Sequence, residues 1–307
     1  MNQTRISLIA VTCGAALLSA PGLATGAAPQ QDLSQVQIET QEIADGIYML
    51  VGSGGNIGVS VGDDGVIIVD DQYAPLTDKI RAAIEAITDK PILFVINTHW
   101  HGDHTGGNES FGEAGSIIVA HDNVRKRMSS EQFSGFFGGS TPPSPDAALP
   151  VVTFTDSVTL HFNDEEIHVF HVDPAHTDGD SIVWFRNSNV VHMGDVFFAG
   201  RYPFIDLGSG GAIDGMIEAA NRVLESIDPE TRIIPGHGPV STIEDLQEYR
   251  EVLTTVRARV MQHIAQGHSM DETIAARPGA EWDDTWGAAF INPEQFIEFV
   301  YASIMGR

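Results

Sequence analysis

The chain has 307 residues, 42% of them hydrophobic, enough for one large or two small packed domains. Its 42 Asp and Glu outweigh 16 Lys and Arg, and the formal charge of −26 repels phosphate backbones and anionic membrane surfaces. A small-molecule substrate is expected, with no nucleic acid partner and no membrane span; composition leaves the oligomeric state open.

The first residues follow a secretory pattern. Arg5 is the one positive side chain of residues 1–5, residues 6–18 are largely apolar but too few to span a bilayer, and Ala24-Thr25-Gly26-Ala27-Ala28 supplies small residues for cleavage. A signal peptide is expected over 1–28, which sends a mature chain of 29–307 to the periplasm or beyond. The sole cysteine, Cys13, falls inside it, so the mature chain has no thiol for disulfides or nucleophilic attack.

Short apolar runs then alternate with glycine and aspartate turns. Strands are expected at 46–51, 57–61 and 66–70, joined through Gly52-Ser53-Gly54-Gly55 and Asp63-Asp64-Gly65 as an antiparallel meander. Leu76, Ile80, Ala83, Ile84 and Ile87 carry the helical period over 76–88, and 92–96 reads as a buried strand. A strand at 116–119, a helix at 123–128 and strands near 151–154, 158–162, 167–172, 182–185 and 190–193 follow. Helices are expected at 215–227, 243–266 and 293–305, with Asp214, Thr242 and Asn292 as N-terminal caps. This order predicts an α/β (α+β) domain of packed sheets covered by helices. Within 131–150, Phe133, Phe136 and Phe137 precede the linker-like Gly138-Gly139-Ser140-Thr141-Pro142-Pro143-Ser144-Pro145. The segment either closes over a cleft or packs locally at the surface.

The chemistry concentrates in His99-Trp100-His101-Gly102-Asp103-His104, directly after the strand at 92–96. Residues two apart in extended backbone share a side, so His99 and His101 can converge on one ion; a turn at Gly102 would redirect Asp103 and His104 to a second. Imidazole with carboxylate suits zinc. His176, Asp195 and His237 stand at three further strand ends with glycine nearby, as needed where backbone approaches a metal centre closely.

This ordered set resembles the metallo-β-lactamase superfamily, and the resemblance extends over roughly the whole mature chain. It implies a four-layer αβ/βα sandwich and two zinc ions (Zn2+) per chain. By it, His99, His101 and His176 would hold the first ion, Asp103, His104 and His237 the second, and Asp195 would bridge the two. Asp103 and Asp195 are the implied catalytic carboxylates, with Asp103 orienting the nucleophile or relaying its proton. One departure bears on substrate: familiar broad-spectrum β-lactamases of the superfamily carry cysteine at the position of Asp195 and another residue at that of His104.

The implied reaction is attack of a zinc-activated hydroxide on a cyclic amide or ester carbonyl, since two such ions lower the pKa of a shared water to near 7. A β-lactam is the first substrate to consider; a lactone or thioester is the alternative, and a metal-stabilised binding protein without turnover is the alternative of another class. Asp70 and Asp71 are candidates either to steady a ligand histidine or to be solvated turn residues. Arg201 and Tyr202 are expected to border the pocket, Arg201 binding a substrate carboxylate or closing a loop salt bridge. His121, His161, His168, His171, His192, His263 and His268 are expected to be structural or superficial.

Overall fold

A computed structural model describes residues 32–306. The expected signal peptide lies outside the described residues. From Leu33 onward the chain forms one unit, which opens with the meander β1 (Glu39–Ala44), β2 (Ile47–Val51), β3 (Ile57–Gly62) and β4 (Gly65–Val69), each strand antiparallel to the next. Tight turns permit antiparallel neighbours, whereas parallel neighbours need a crossover. The chain supplies crossovers from here on. Helix α1 (Thr77–Glu85) carries it to β5 (Ile92–Ile96), and α2 (Gly102–Thr105) and α3 (Asn108–Glu113) carry it to β6 (Ile117–His121), both strands being added in parallel. After α4 (Asp122–Met128) comes a hairpin, β7 (Gln132–Ser134) and β8 (Gly139–Thr141), and then β9 (Val152–Phe154), parallel to β6. The seven strands run β1-β2-β3-β4-β5-β6-β9.

The second sheet is a meander of β10 (Ser157–Phe162), β11 (Glu165–His171), β12 (Ser181–Phe185) and β13 (Val190–His192). Helix α5 (Ile213–Leu224) then crosses to β14 (Arg232–Ile234), parallel to β13. The chain ends in α6 (Ile243–Ala265), α7 (Met270–Ala275), α8 (Asp283–Trp286) and α9 (Pro293–Met305). Among the described residues no helix is long and apolar enough to cross a membrane.

Three apolar clusters make the four layers. Ile67, Val69 and Ile96 of the first sheet pack with Ile167, Val183 and Ile234 of the second. Val66, Ile68 and Val95 pack with Ile80 and Ile84 of α1, and Ile182, Val191 and Ile233 pack with Met216, Leu246 and Phe296 of α5, α6 and α9. All five residues of β4 are therefore buried, the reason a strand covered on both faces reads as a continuous apolar run.

Helix starts agree with expectation at two of three places. The Asp245 carboxylate accepts from the Thr242 N–H at 2.8 Å, and Asn292 and Gln295 cap each other reciprocally at 3.1 and 2.9 Å. Helix α5 differs: it begins at Ile213 after Ala212, not after Asp214. Its first N–H donates to Ser303 Oγ of α9 at 3.0 Å, while Asp214 sits inside the first turn and pairs with Arg257 of α6. A tertiary donor–acceptor pair does the work a local cap would do.

Candidate metal centre

Every predicted donor lies beyond the carboxyl end of a strand: His99 and His101 on the loop after β5, His176 on that after β11, Asp195 in a short 3-10 turn after β13 and His237 on the loop after β14. Asp103 and His104 lie in α2, the single helical turn that follows. The redirection attributed to a glycine turn at Gly102 is made by that helical turn instead; Gly102 has no positive φ and nothing within 4 Å of where a Cβ would stand. The loops gather the side chains into two groups whose donor atoms lie within 4.8 Å of one another: His99, His101, His176 and Asp195, and Asp103, His104 and His237.

Asp195 divides its oxygens between them. Its Oδ2 is 3.5 Å from His176 Nε2 and 4.0 Å from His99 Nε2, whereas its Oδ1 is 3.1 Å from His104 Nε2 and 3.4 Å from His237 Nε2. Asp103 Oδ2 lies 3.4 Å from His237 Nε2. Four-coordinate zinc with metal–nitrogen distances near 2.0–2.1 Å spaces its donors about 3.3 Å apart, so these separations are those of a ligand set.

The donors also lack other employment. Buried His99 Nε2 makes no hydrogen bond, and buried His104 Nε2 and Asp195 Oδ1 have only other members of the cluster within reach, a costly arrangement unless a cation engages them. His176 Nδ1 donates to the Phe204 carbonyl at 2.8 Å, and His101 Nε2 donates to Asp206 Oδ2 at 2.9 Å. With those tautomers fixed, His176 Nε2 and His101 Nδ1 turn lone pairs toward each other across 2.9 Å. Two facing lone pairs repel; a proton or a metal ion between them removes the repulsion. The residues fit divalent cations.

Charge in the centre follows from crowded carboxylates. Burial opposes the ionised form of Asp103, but His104 and His237 outweigh it and hold the carboxyl at about 2. Asp195 is held well below the usual range in the same way, against its burial, by His237 and His104. Burial resists charge on His237, yet Asp195 and Asp103 raise it to about 9, and His104 is likewise raised by Asp195, Asp103 and Asp70. On the other side burial lowers His176 to about 4 and, with the neighbouring imidazoles, pushes His99 well down. Without metal, protons on His104 and His237 balance the carboxylates; ions would replace them.

The supporting contacts settle the reading of Asp70. Its Oδ2 accepts from His104 Nδ1 and from Thr98 Oγ1, each at 2.7 Å, and its Oδ1 accepts from the Thr98 N–H at 2.8 Å. It steadies a donor histidine, not a solvated turn. Asp71 instead accepts from the Gly107 N–H at 2.8 Å and fixes the loop behind α2.

Other contributors were not visible in the sequence. Asp206 steadies His101 and is itself held by Ser209 Oγ at 2.6 Å, which accepts from Trp100 Nε1 at 3.1 Å. Asn56 donates to the carbonyls of Pro235 and Gly238, each at 2.9 Å, and so fixes the loop of His237. Tyr73 lies near the mouth; burial, Asp103 and Asp195 raise its phenol to about 12, keeping it an O–H donor at neutral pH. A glycine expected near the metal is required sterically, since a Cβ on Gly236 would overlap Asp195 Oδ1; Gly55, expected only as a turn residue, is required too, since a Cβ there would overlap the His104 ring.

None of the seven remaining histidines joins the two groups. His171 stacks face to face on His121 at 3.8 Å, and His192 donates to the Asn56 carbonyl beneath the site. Tyr202 departs from expectation: it is buried toward the C-terminal helices, its hydroxyl bonded to the Gly279 carbonyl and to Asp283. Arg201 reaches only the Ala199 carbonyl, at 3.4 Å, and closes no salt bridge among the described residues.

A four-layer α/β sandwich with paired His/Asp groups on one edge defines a class of metal-dependent proteins. The model of the metallo-beta-lactamase superfamily matches residues 50–239, and the chain belongs to that superfamily. It is 26% identical over 164 residues to an uncharacterized protein of Aquifex aeolicus, covering 52% of this chain and 74% of that one. With a hydroxyacylglutathione hydrolase of Methylococcus capsulatus it shares 29% identity over 189 residues, 55% of this chain and 63% of the relative. The sec-alkylsulfatase Pisa1 of a Pseudomonas species has a similar fold, with a TM-score of 0.69 and 17% identity over 88% of this chain and 50% of the other.

Proposed function

We propose that the chain is a two-zinc hydrolase that opens a cyclic amide or ester, with a β-lactam as the first substrate to test. The observation that carries the reading is the division of Asp195, one oxygen turned to each donor group. His99, His101 and His176 would hold one ion, and Asp103, His104 and His237 the other, with Asp195 between them. Bound there, the ions would supply Lewis acidity and a water acidified to near neutral pKa.

The chain's own groups do the rest. Asp103, its side chain 22% exposed, borders the opening; held at about 2 and so ionised, its carboxylate can accept a hydrogen bond from an attacking water and orient it. Asp70 and Asp206 keep His104 and His101 in one tautomer and one orientation. Phe198 and Phe204 lie against the donor imidazoles and keep bulk water from that flank. Export through the leader at 1–28, to the periplasm or beyond, belongs to the same proposal and would bring the enzyme to where β-lactams are met.

The test combines metal analysis of the mature protein with a nitrocefin assay. Two zinc ions per chain and chelator-sensitive cleavage are expected, with cleavage lost in His101→Ala and Asp195→Ala while circular dichroism shows the fold retained. Two zinc ions without lactam cleavage would move the reading to a lactone or thioester, the class favoured by the hydroxyacylglutathione hydrolase similarity. A zinc-loaded protein inert toward lactams, lactones, thioesters and phosphodiesters would instead be a metal-stabilised binding protein.

A further inference from the structure

Phe204 belongs to two neighbourhoods at once. Its carbonyl holds His176, and its ring stacks on His101 with centroids 5.9 Å apart. Its other neighbours include buried Phe299 of α9 at 5.4 Å, Phe136 at 4.8 Å and Phe137 at 5.8 Å from the tip of the β7–β8 hairpin, and Phe290 at 6.4 Å from the loop before α9. Phe137 and Phe290 stack on each other at 6.3 Å, yet they remain 63% and 61% exposed. A continuous aromatic wall thus runs from a donor histidine out to solvent.

The hairpin that presents it is tied down. Gln132 exchanges hydrogen bonds with the Arg127 side chain and carbonyl at 3.0 and 3.1 Å, and the Ser144 N–H donates to the Met128 carbonyl at 2.7 Å. Both legs are therefore anchored at the end of α4, and the rings are presented from a fixed base. Exposed aromatic surface of this extent marks a place where something apolar binds. Its continuity with His101 says what that is.

We infer that the wall of Phe136, Phe137, Phe204 and Phe290 receives an uncharged apolar substituent of the substrate whose scissile group lies at the donor centre. The inference rests on the hydrolase reading above and makes the substrate class more specific: the ring or acyl group beside the bond to be cleaved is aromatic or a medium-length alkyl chain. The wall offers it no cation and no hydrogen-bonding side chain. Selectivity arises because a matching substituent displaces water from the rings while the reacting carbonyl is held.

The test compares zinc-loaded wild type with Phe137→Ala/Phe290→Ala, whose side chains are exposed enough to be removed without opening the core, and with Val151→Ala, an exposed apolar control 70% accessible. Two substrate pairs differ by an apolar group: 6-aminopenicillanic acid with phenoxymethylpenicillin, and γ-butyrolactone with γ-decanolactone. In wild type the apolar member of a cleaved pair is expected to have a kcat/KM at least about tenfold higher, and the double variant to lose most of that ratio. Independently of turnover, fluorescence titration with N-phenyl-1-naphthylamine is expected to show at least about fivefold weaker binding in the double variant and no change in Val151→Ala. Dye affinity and substrate ratios unaltered in the double variant would overturn the inference, as would a change confined to self-association in sedimentation, which would assign the wall to a second copy of the chain. If wild type cleaves no member of either pair, the hydrolase reading fails on these substrates and the dye titration alone decides the wall.

Discussion

Asp206 touches no candidate ion, yet it sets which nitrogen of His101 carries the proton, and the loss of such a partner typically costs a metal site 10–100-fold in affinity. Asp206→Ala should therefore weaken zinc retention by about that factor in a chelator competition, and should also lower the melting temperature of the chelated protein, because the buried carboxylate accepts from the Ser209 hydroxyl and N–H as well. Asp70→Asn should act through His104 in the same way and unfold more readily too, because Asp70 is fully buried and holds Thr98 as well. Gly236→Ala is the steric counterpart: the added methyl meets Asp195 Oδ1, so the purified variant should carry markedly less zinc after desalting than wild type. The seven candidate donors that the fold brings together stand out in the sequence because each follows an apolar run and four are crowded into six residues. Asp206 and Asn56 do not, since their meaning lies in contacts made 105 and 179 residues away along the chain. Nothing local distinguishes them from other loop polar residues.

Periodicity showed the long elements well. Helix α9 spans the expected 293–305, with its Asn292 cap, and β5 spans the expected 92–96. Asn292→Ala removes one half of a reciprocal cap and should cost about 1 kcal/mol, seen as a fall of roughly 2–4 °C in the melting temperature by calorimetry. Short or exposed elements escaped. Strand β1 is exposed along most of its length, so it lacks the apolar alternation that betrays a strand, and β7 and β8 have only three residues each in a glycine-rich stretch. That hairpin read equally as a lid or a surface excursion; the packing of Phe136 on Phe204 places its tip beside the donor centre. The start of α5 was misplaced because its cap is Ser303, from an element that lies 90 residues later.

For the whole molecule, metal-free stability should fall on the alkaline side. The native His237 imidazole is raised to about 9, so its contribution is complete below the unfolded value near 6.5 and is lost as pH rises through 9. His104 adds to that limb. On the acid side opposing groups meet: His176, lowered to about 4, with His99 and His192, favours the unfolded chain as pH falls from about 6.5, whereas Asp180, raised by burial to about 7, and buried Asp71 hold protons in the native state and favour the fold over the same window. Calorimetry of chelated protein between pH 5 and 9 should therefore show a melting temperature that changes little below about 6.5 and falls toward pH 9. Zinc should raise the alkaline limb most, because the ion takes the place of the protons on His104 and His237. A chelated protein whose melting temperature climbed steadily to pH 9 would contradict this charge balance.

The span of the donor set along the chain has a consequence for how the protein is made. A ribosome delivers His99, His101, Asp103 and His104 well before His237, and the loop that carries His237 is held by Asn56, from the first sheet. A nascent chain can offer a stray ion four donors but not the pair of enclosed groups. The complete cage exists only after β14 has docked beside β13, so on the two-ion reading metal capture would follow folding rather than guide it, and the newly made protein would stand on protons and packing until ions arrived.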